Sequence, residues 1–389
     1  MATPAQRTNT WTLDEWYDQA VAGTQGSYSG EGRAFAWGMN NEGGLGANDK
    51  VQRSSPVQIA GTTWSKLSIT DYNHGSFGLK TDGTLWSWGN NTDGMLGQGG
   101  TIPTEGSTSY SSPLQIGTDT NWSRIRSDGY GGMATKTDGT LWMWGKNGQG
   151  ALGQNNRTAY SSPKQVPGTW SNNFECCSFL SLATKTDGTL WAWGRNNEGI
   201  LGLNEPGSAP SSGFWKSSPT QIPGTTWSTT AGQLDAHPGG ACCMKTDSTA
   251  WFWGRNTTSS KGPGGPNSIS SPTQIDAPGS RTWSQICSGN YDSMGVTTDG
   301  KWWQWGAYNS SVTPQEIGSG YSECDMYRGQ NTTKSGLKTD GSLYIKGENN
   351  YGQLGQNSTA DSLATLVQIP GTWTQPVKGE RSNGACQNV

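Results

Sequence analysis

The sequence predicts an all-β fold, a seven-bladed β-propeller of four-stranded blades, and three observations carry this prediction. The first is a ten-residue motif that recurs at a mean spacing of about 51 residues, a period typical of repeat architectures. The second is the composition: Gly accounts for 58 of the 389 residues and Trp for 21, while only 14% of the residues are charged. The third is that the first and last copies of the motif are complementary fragments.

The repeated motif reads Lys-Thr-Asp-Gly-Thr-Leu-Trp-x-Trp-Gly. Three copies match it at every defined position, at residues 80–89, 136–145 and 185–194. Weaker copies and an opening copy without its first residues complete the series, at residues 245–254, 297–306, 338–347 and 33–38. The count of seven copies predicts seven blades.

Each repeat contains the signals of several short strands. Asp-Gly between two apolar runs predicts a hairpin with a type I′ turn, in which both central residues have positive φ. Because alternate residues of a strand share a face, Trp86 and Trp88 lie on one side and Leu85 and Ser87 on the other. One small sheet cannot bury such faces alone, so we predict that the sheets stack radially with Trp side chains between the blades. The Ser-Ser-Pro-x-Gln and Trp-Ser segments of each repeat supply the other strands.

The two ends of the chain predict how the ring closes. The first copy lacks its leading strands, and residues 371–386 match the segment that precedes the motif elsewhere. We therefore predict that the N- and C-terminal strands share one blade, which leaves only short, protected sheet edges. A linear solenoid is the alternative, and it would need polar caps at both ends.

The motif, extended by x-Asn-x-x-Gly-x-Leu-Gly, resembles the repeats of the regulator of chromosome condensation family over about residues 30–389. The resemblance implies a seven-bladed propeller. The name-giving member further implies guanine-nucleotide exchange on a small GTPase. This chain departs from that member, because residues 1–29 carry one basic residue, Arg7, against three acidic ones, and there is no clear wedge insertion. Its repeats, rich in Gly, Asn, Ser, Thr and Trp, resemble those of bacterial and bacteriophage proteins.

Residues 1–29 precede the propeller, which we assign to residues 30–389, and are predicted to form an arm with an amphipathic helix at about 12–22. Thr12-Leu-Asp-Glu15 is a capping-box pattern. A helix this short needs a surface to dock on, either its own propeller or a partner subunit. Five side chains at helical spacing would form the docking face: Leu13, Trp16, Tyr17, Ala20 and Val21.

The loops between Leu-Gly and Ser-Ser-Pro vary in length, and variable loops on a rigid scaffold are where recognition usually occurs. Trp215 fills no repeat position and follows Phe214 in the longest of the four loops that run from Leu-Gly to Ser-Ser-Pro. We predict a binding site of exposed aromatic side chains that stack on sugars, formed by Phe214 and Trp215 with Tyr110 and Tyr160. An alternative for the two tyrosines, which both precede Ser-Ser-Pro, is a shared role as loop anchors.

The sequence shows no catalytic or metal-binding motif, so we expect no enzyme activity, cofactor or metal site. His74 and His237 are the two histidines, and structural hydrogen bonds are the expected role of both. The seven cysteines are expected to be buried and reduced. A net charge of −3 offers no bulk electrostatic attraction to nucleic acid or anionic membrane, and no apolar run reaches the length of a membrane span.

These observations favour a non-enzymatic structural or adhesion propeller in a larger assembly. Low charge, the absence of a visible secretion signal and the docking helix indicate a bacteriophage virion or tail-associated subunit made in the host cytoplasm. Its partners would be other protein subunits and a host surface glycan or receptor, without nucleic acid or membrane insertion; outside a virion the chain would be cytoplasmic. The alternatives are a guanine-nucleotide exchange factor and a glycan-binding module.

Overall fold

A computed structural model describes residues 32–69, 74–100, 108–127, 130–177, 179–205, 214–256, 267–289, 291–306, 311–326, 333–359, 363–376 and 381–387. The arm predicted at residues 1–29, with its helix at about 12–22, lies outside the described residues. The helices in the described part are two single 3-10 turns, Thr92–Gly94 and Asn197–Gly199. Neither is long and apolar enough to cross a membrane.

The described residues form seven antiparallel sheets, the blades I to VII. Blade I contains β1 (Arg33–Gly38), β2 (Arg53–Gln58) and β27 (Ser382–Gln387), and blade II contains β3 (Trp64–Ser68), β4 (Gly75–Lys80), β5 (Leu85–Asn90) and β6 (Ser109–Gln115). Blade III contains β7 (Trp122–Ser127), β8 (Gly131–Lys136), β9 (Leu141–Gly145) and β10 (Tyr160–Val166). Blade IV contains β11 (Trp170–Cys177), β12 (Leu180–Lys185), β13 (Leu190–Arg195) and β14 (Trp215–Gln221). Blade V contains β15 (Leu234–His237), β16 (Gly240–Met244), β17 (Ala250–Arg255) and β18 (Ser268–Ile275). Blade VI contains β19 (Trp283–Ser288), β20 (Asp292–Thr297), β21 (Lys301–Gly306) and β22 (Ser311–Ser319). Blade VII contains β23 (Tyr321–Met326), β24 (Lys334–Lys338), β25 (Leu343–Gly347) and β26 (Leu363–Ile369).

The first strands of neighbouring blades contact one another around the ring, from β3 through β7, β11, β15 and β19 to β23. The first strand of each blade is therefore innermost and borders the central channel. The fourth strand, which carries the Ser-Ser-Pro segment, lies at the outer edge of its sheet. The predicted seven-bladed, all-β propeller of four-stranded blades is confirmed.

Ring closure occurs in blade I, as predicted. β1 pairs with β27 along its whole length, and Phe35 lies opposite Ala385. The other edge of β1 pairs with β2. The place of the fourth, innermost strand is marked by a bridge between Trp373 and Gln387, which corresponds to the pairing of Trp122 with Lys136 in blade III. The linear alternative is therefore wrong.

The Asp-Gly turns differ from the predicted type I′ geometry. Gly83 has a φ of 78°, but Asp82 is not among the residues with positive φ. The Gly83 N–H donates to the Lys80 carbonyl at 3.0 Å, and the Lys80 N–H donates to the Thr84 carbonyl at 3.1 Å. This is a type I turn followed by a left-handed glycine. The reason is local: the Asp82 carboxylate accepts hydrogen bonds from the Thr84 N–H and hydroxyl, at 3.0 and 2.7 Å.

Tryptophan packs between the blades, as predicted: Trp64 and Trp88 of blade II share a buried cluster with Ile59 of blade I. In blade II the buried ring of Trp64 lies 5.7 Å from that of Trp88 and 6.3 Å from that of half-buried Trp86. The Lys80 ammonium lies over both Trp64 and Trp86, at 5.2 and 4.2 Å from the ring centroids. Lys136, Lys185 and Lys245 repeat this cation–π arrangement, and Lys338 lies between two tyrosines. Twelve fully buried Trp side chains result: Trp37, Trp64, Trp88, Trp144, Trp170, Trp193, Trp227, Trp253, Trp283, Trp302, Trp305 and Trp373.

Candidate interaction face

The two ends of the propeller carry different connections because the strands of a blade alternate in direction. One end carries the Lys-Thr-Asp turns, such as residues 136–140, and we call it the turn face. The other end carries the connections from third to fourth strands, such as residues 146–159 and 196–205, and those from first to second strands. We call this end the loop face.

The loops after Trp-Gly are held rigidly at both ends. In blade III the Asn147 side chain accepts from the Leu152 N–H at 2.9 Å and donates to the Thr158 carbonyl at 3.0 Å. The second Trp of the next blade's motif then bonds to the loop: Trp253 donates its indole N–H to the Ile200 carbonyl at 3.0 Å. Four other tryptophans make this inter-blade indole hydrogen bond: Trp37, Trp88, Trp144 and Trp193. The loop face is therefore a firm platform.

The series of indole bonds is interrupted after blade V. The fifth repeat lacks Leu-Gly, and the buried Trp305 indole N–H has no acceptor among the described residues. In blade VII, Lys346 stands where the other blades have this Trp, and burial together with the Lys334 ammonium lowers its pKa to about 8. A buried ion pair between Lys334 and Asp292, at 2.6 Å, joins blade VII to blade VI instead.

Three aromatic side chains on the loop face, His74, Tyr130 and Phe179, form what we call the aromatic row. Each directly precedes the second strand of blade II, III or IV. The ring centroids of His74 and Tyr130 are 4.9 Å apart, and those of Tyr130 and Phe179 are 5.5 Å apart with nearly parallel planes. All three are half-buried, and the Lys146 ammonium lies 5.0 Å from the Tyr130 ring. Burial and Lys146 lower the pKa of His74 to about 4, so the row is uncharged at neutral pH.

The histidines thus differ in role. The ring of His237 accepts a hydrogen bond from the Gly239 N–H at 3.1 Å, which confirms the structural bond expected there. His74 contributes instead to the aromatic row. The sequence analysis missed this row because its members differ in type and lie about 50 residues apart. The signal that could have revealed it is their shared position, immediately before the second strand of each blade.

The four aromatic residues predicted to bind a ligand lie on blades II, III and IV, where the fourth strands begin. Phe214 and Trp215 are 44% and 37% exposed, and the Arg157 guanidinium lies 4.6 Å from the Trp215 ring. Tyr110 and Tyr160 are half-buried. The Tyr160 hydroxyl accepts from the Asn156 side chain at 3.0 Å, as the loop-anchor interpretation expects. No ring contact joins Tyr110, Tyr160 and Trp215 within the described residues.

Exposed apolar side chains also concentrate on the loop face. Among the described residues the large exposed hydrophobic side chains are Val51, Phe214 and Trp215, and all three belong to loop-face connections or their ends. No group of three or more potential metal-ligating side chains occurs within the same described ranges. The described part of the chain thus collects its exposed apolar and aromatic side chains at one end of the propeller.

Comparison with known sequences identifies the repeats. The model of the regulator of chromosome condensation (RCC1) repeat matches residues 31–71, 82–127, 138–178 and 187–229. The human E3 ubiquitin-protein ligase HERC2 is 29% identical over 145 residues, 36% of this chain, so that the match spans about 3% of HERC2. The mitochondrial RCC1 domain-containing protein RUG3 of Arabidopsis thaliana is 25% identical over 376 residues, which cover 86% of this chain and 82% of RUG3.

Solved structures show the same fold. Yeast RCC1 (Prp20), crystallised with Kap60, superposes with a TM-score of 0.76 at 14% identity and covers 99% of this chain and 96% of its own. A second Saccharomyces cerevisiae Prp20p structure, described with its binding properties to Gsp1p and histones, gives a TM-score of 0.75 at 15% identity, covering 92% of both chains. The described residues therefore form a seven-bladed propeller with the fold of these structures, and four of its repeats match the RCC1 repeat model.

Proposed function

We propose that this propeller is a non-enzymatic interaction protein whose loop face binds another protein. The observation that carries the proposal is the collection on one face of Val51, Phe214, Trp215 and the aromatic row. Aromatic anchors on a rigid support are the usual centre of protein–protein interfaces. The turn face differs, because its side chains bond to one another within each Lys-Thr-Asp-Gly-Thr turn, as Asp82 does with Thr84.

The charges around the aromatic row support the same function. Lys146 pairs loosely with Asp93 at 3.7 Å, and Arg255 pairs with Glu198 at 2.6 Å. The first pair borders the uncharged row through Lys146, and the second adds charged groups to the same face; a polar rim of this kind is common at transient protein interfaces. A partner could stack an aromatic or guanidinium group on the row while these charged side chains stay in contact with water.

The test is binding of the native partner, recovered by cross-linking in the source cells and identified by mass spectrometry. We expect Tyr130→Ala and Trp215→Ala each to weaken binding of the purified partner at least tenfold. Thr137→Ala, in the exposed turn of the same blade as Tyr130, is the matched control and should leave the affinity unchanged. Cross-links confined to the turn face, or equal losses in the control, would exclude the loop face.

A more specific form of the proposal makes the partner another subunit of a bacteriophage virion or tail, with the arm at residues 1–29 as an anchor. It is supported by the low charge and by the Gly-, Asn-, Ser- and Thr-rich repeats. Mass spectrometry of purified native particles tests it, and consistent absence of the chain from those particles removes it.

A guanine-nucleotide exchange factor is the second candidate, supported by the match of four repeats to the RCC1 repeat model and by the fold shared with yeast Prp20. The test is release of a fluorescent guanine nucleotide from a purified small GTPase. Acceleration by the propeller supports exchange activity, and an unchanged release rate over a panel of such GTPases rejects it.

A glycan-binding module is the third candidate, supported by exposed Trp215 with Arg157 over its ring. Aromatic faces of this kind stack on sugars. A glycan array probed with wild-type protein and Trp215→Ala is the test. Identical binding patterns for the two proteins would remove Trp215 from any sugar site.

A further inference from the structure

Two buried cysteines meet across the boundary between blades VI and VII. All seven cysteines lie among the described residues, buried and with free thiols. Cys287 is on β19, the innermost strand of blade VI, and Cys324 is on β23, the innermost strand of blade VII. Their Sγ atoms are 3.5 Å apart, close enough for one thiol to donate a hydrogen bond to the other sulfur. The two residues are 2% and 0% exposed, so the contact lies inside the interface between the blades.

Cys324 departs from the side chains that the other blades have at its position. It pairs with Gly336, two residues before Lys338, where the motif of blade VII begins. In each of blades II to VI one residue of the innermost strand has this same pairing, and every one of them is a larger, buried apolar residue. They are Leu67, Ile125, Phe174, Leu234 and Ile286. The smaller cysteine of blade VII leaves room for the Cys287 sulfur to approach.

Main-chain hydrogen bonds hold the two strands beside each other. Gln285, two residues before Cys287, accepts from the Cys324 N–H at 2.7 Å. The Tyr321 N–H, at the start of the same strand as Cys324, donates to the Gly300 carbonyl of blade VI at 3.0 Å. The backbones are therefore already aligned. Rotation of the two cysteine side chains is the main movement needed to bring their sulfur atoms from 3.5 Å to the roughly 2 Å of a disulfide.

The surroundings of the two thiols favour a neutral product. Met294, Trp302 and Met326 belong to the same buried cluster as Cys287 and Cys324. In this apolar environment burial raises the pKa of the Cys287 thiol, and the neighbouring Cys324 raises it further. A soft ion such as Cu(I) held by two thiolates would leave a negative charge in the cluster. A disulfide is neutral and needs no hydrogen-bond partner there.

We propose that Cys287 and Cys324 are an oxidative cross-linking site whose disulfide fastens blade VI to blade VII. The co-reactant is a low-molecular-weight disulfide such as glutathione disulfide. One cysteine thiolate attacks a sulfur of this disulfide and releases the first glutathione; the second cysteine thiolate attacks the resulting mixed disulfide and releases the other. The two cysteine protons end on the two glutathione thiols, so two protein thiols are oxidised and one small disulfide is reduced.

The boundary between blades VI and VII is one that a covalent link would strengthen. At five other boundaries the second Trp of the motif donates an indole hydrogen bond to the preceding blade. Blade VII has Lys346 at that position, which has no indole. A disulfide between Cys287 and Cys324 would limit how far the two blades separate when the chain unfolds. The site is independent of the loop face, so its failure leaves the proposed function intact.

The test is incubation of the full chain with glutathione disulfide, in buffer and in urea below the unfolding transition, because buried thiols react when their boundary opens. Peptide mapping without reduction and a count of free thiols follow. We expect a cross-linked peptide that joins Cys287 to Cys324 and a loss of two of the seven thiols. Cys324→Ala should give no cross-linked peptide. Cys386→Ala, which removes a similarly buried cysteine (2% exposed) from blade I, is the matched control and should cross-link like wild type.

The oxidised protein should unfold at a urea midpoint about 1 M higher than the reduced protein, and dithiothreitol should reverse this shift. The midpoint of Cys324→Ala should be the same before and after treatment. Near-UV circular dichroism checks that each variant is folded, and the wild-type peptide map decides the matter if one is not. No loss of thiols from wild type under either condition overturns the proposal, as do cross-links that join other cysteines instead. A Cys287–Cys324 bond that leaves the urea midpoint unchanged overturns the fastening role.

Discussion

At the scale of single residues, the turn of blade V shows what the repeated glycine contributes. Gly83, Gly139 and Gly188 have φ of 78° to 79°, a region that disfavours residues with a Cβ. Blade V has Ser248 there, with a φ of 66°. We expect Ser248→Gly to raise the free energy of unfolding by about 1 kcal/mol, measured by urea denaturation.

Gly188→Ser is the reciprocal control. A Cβ at Gly188 would meet no atom closer than 3.6 Å, so the substitution adds the backbone cost without a clash. It should lower the free energy of unfolding by a similar amount, about 1 kcal/mol. If neither substitution changes stability, the left-handed turn conformation is not what distinguishes glycine at this position.

His74 gives the protein a predictable pH dependence. Its pKa is about 4 in the folded chain against 6.5 as the ordinary value, so between these pH values only the unfolded chain takes up a proton. Above pH 6.5 the free energy of unfolding is therefore not reduced by His74. As the pH falls from 6.5 towards 4, protonation of His74 in the unfolded chain lowers the free energy of unfolding by about 3 kcal/mol in total. We expect His74→Gln to remove this part of the slope, measured by urea denaturation from pH 7.5 to 4.5. Parallel curves for the two proteins would contradict the assignment.

At the scale of elements, the inter-blade indole hydrogen bond can be separated from packing. Trp253 and Trp305 are both fully buried at equivalent positions, but within the described ranges only Trp253 has an acceptor, the Ile200 carbonyl. We expect Trp253→Phe to cost about 2 kcal/mol more than Trp305→Phe, because it leaves a buried carbonyl unpaired. Urea denaturation of both variants measures the difference, and equal losses would show that ring packing alone stabilises the blades.

The sequence predicted the elements that a local pattern encodes. The alternation of side-chain faces around Trp86 and Trp88 predicted the strands, and the complementary ends of the chain predicted the pairing of β1 with β27. The turn type was wrong because it depends on the Thr84 bonds to Asp82, which the Asp-Gly pair alone does not reveal. The lack of an acceptor for Trp305 in the described part of the chain was foreseeable, since the fifth repeat visibly lacks Leu-Gly.

The candidate surfaces were less predictable for a physical reason. The aromatic row and the amides of the innermost strands, such as Gln233 and Gln285, each assemble from residues about 50 positions apart, and the side chains at these positions differ from blade to blade. A repeat pattern identifies what is constant, whereas these surfaces consist of what varies at a constant position. His74, Tyr130 and Phe179 become recognisable only after the ring places their backbones side by side.

At the scale of the whole molecule, successive blades are joined at three levels. On the turn face the Trp122 N–H donates to the Gly83 carbonyl of the preceding blade at 3.1 Å. On the innermost strands, amides bond to the main chain of the next blade, as Gln285 does with the Cys324 N–H at 2.7 Å, and on the loop face the indoles bond to the preceding loop. Every such contact links neighbours around the ring. The stability of the whole therefore depends on closure in blade I.

Closure in turn depends on β27, which supplies the only partner of β1 on its inner edge in the described residues. Deletion of residues 377–389 should expose that edge and abolish cooperative unfolding, measured by thermal denaturation with near-UV circular dichroism. A synthetic peptide of residues 377–389 should rebind beside β1 and restore the transition, because backbone pairing from Arg33 to Gly38 is recovered. The same peptide with Ala385→Pro should not, since proline cannot occupy a paired position there. A truncated chain that melts like wild type would show that the ring is held closed without this strand.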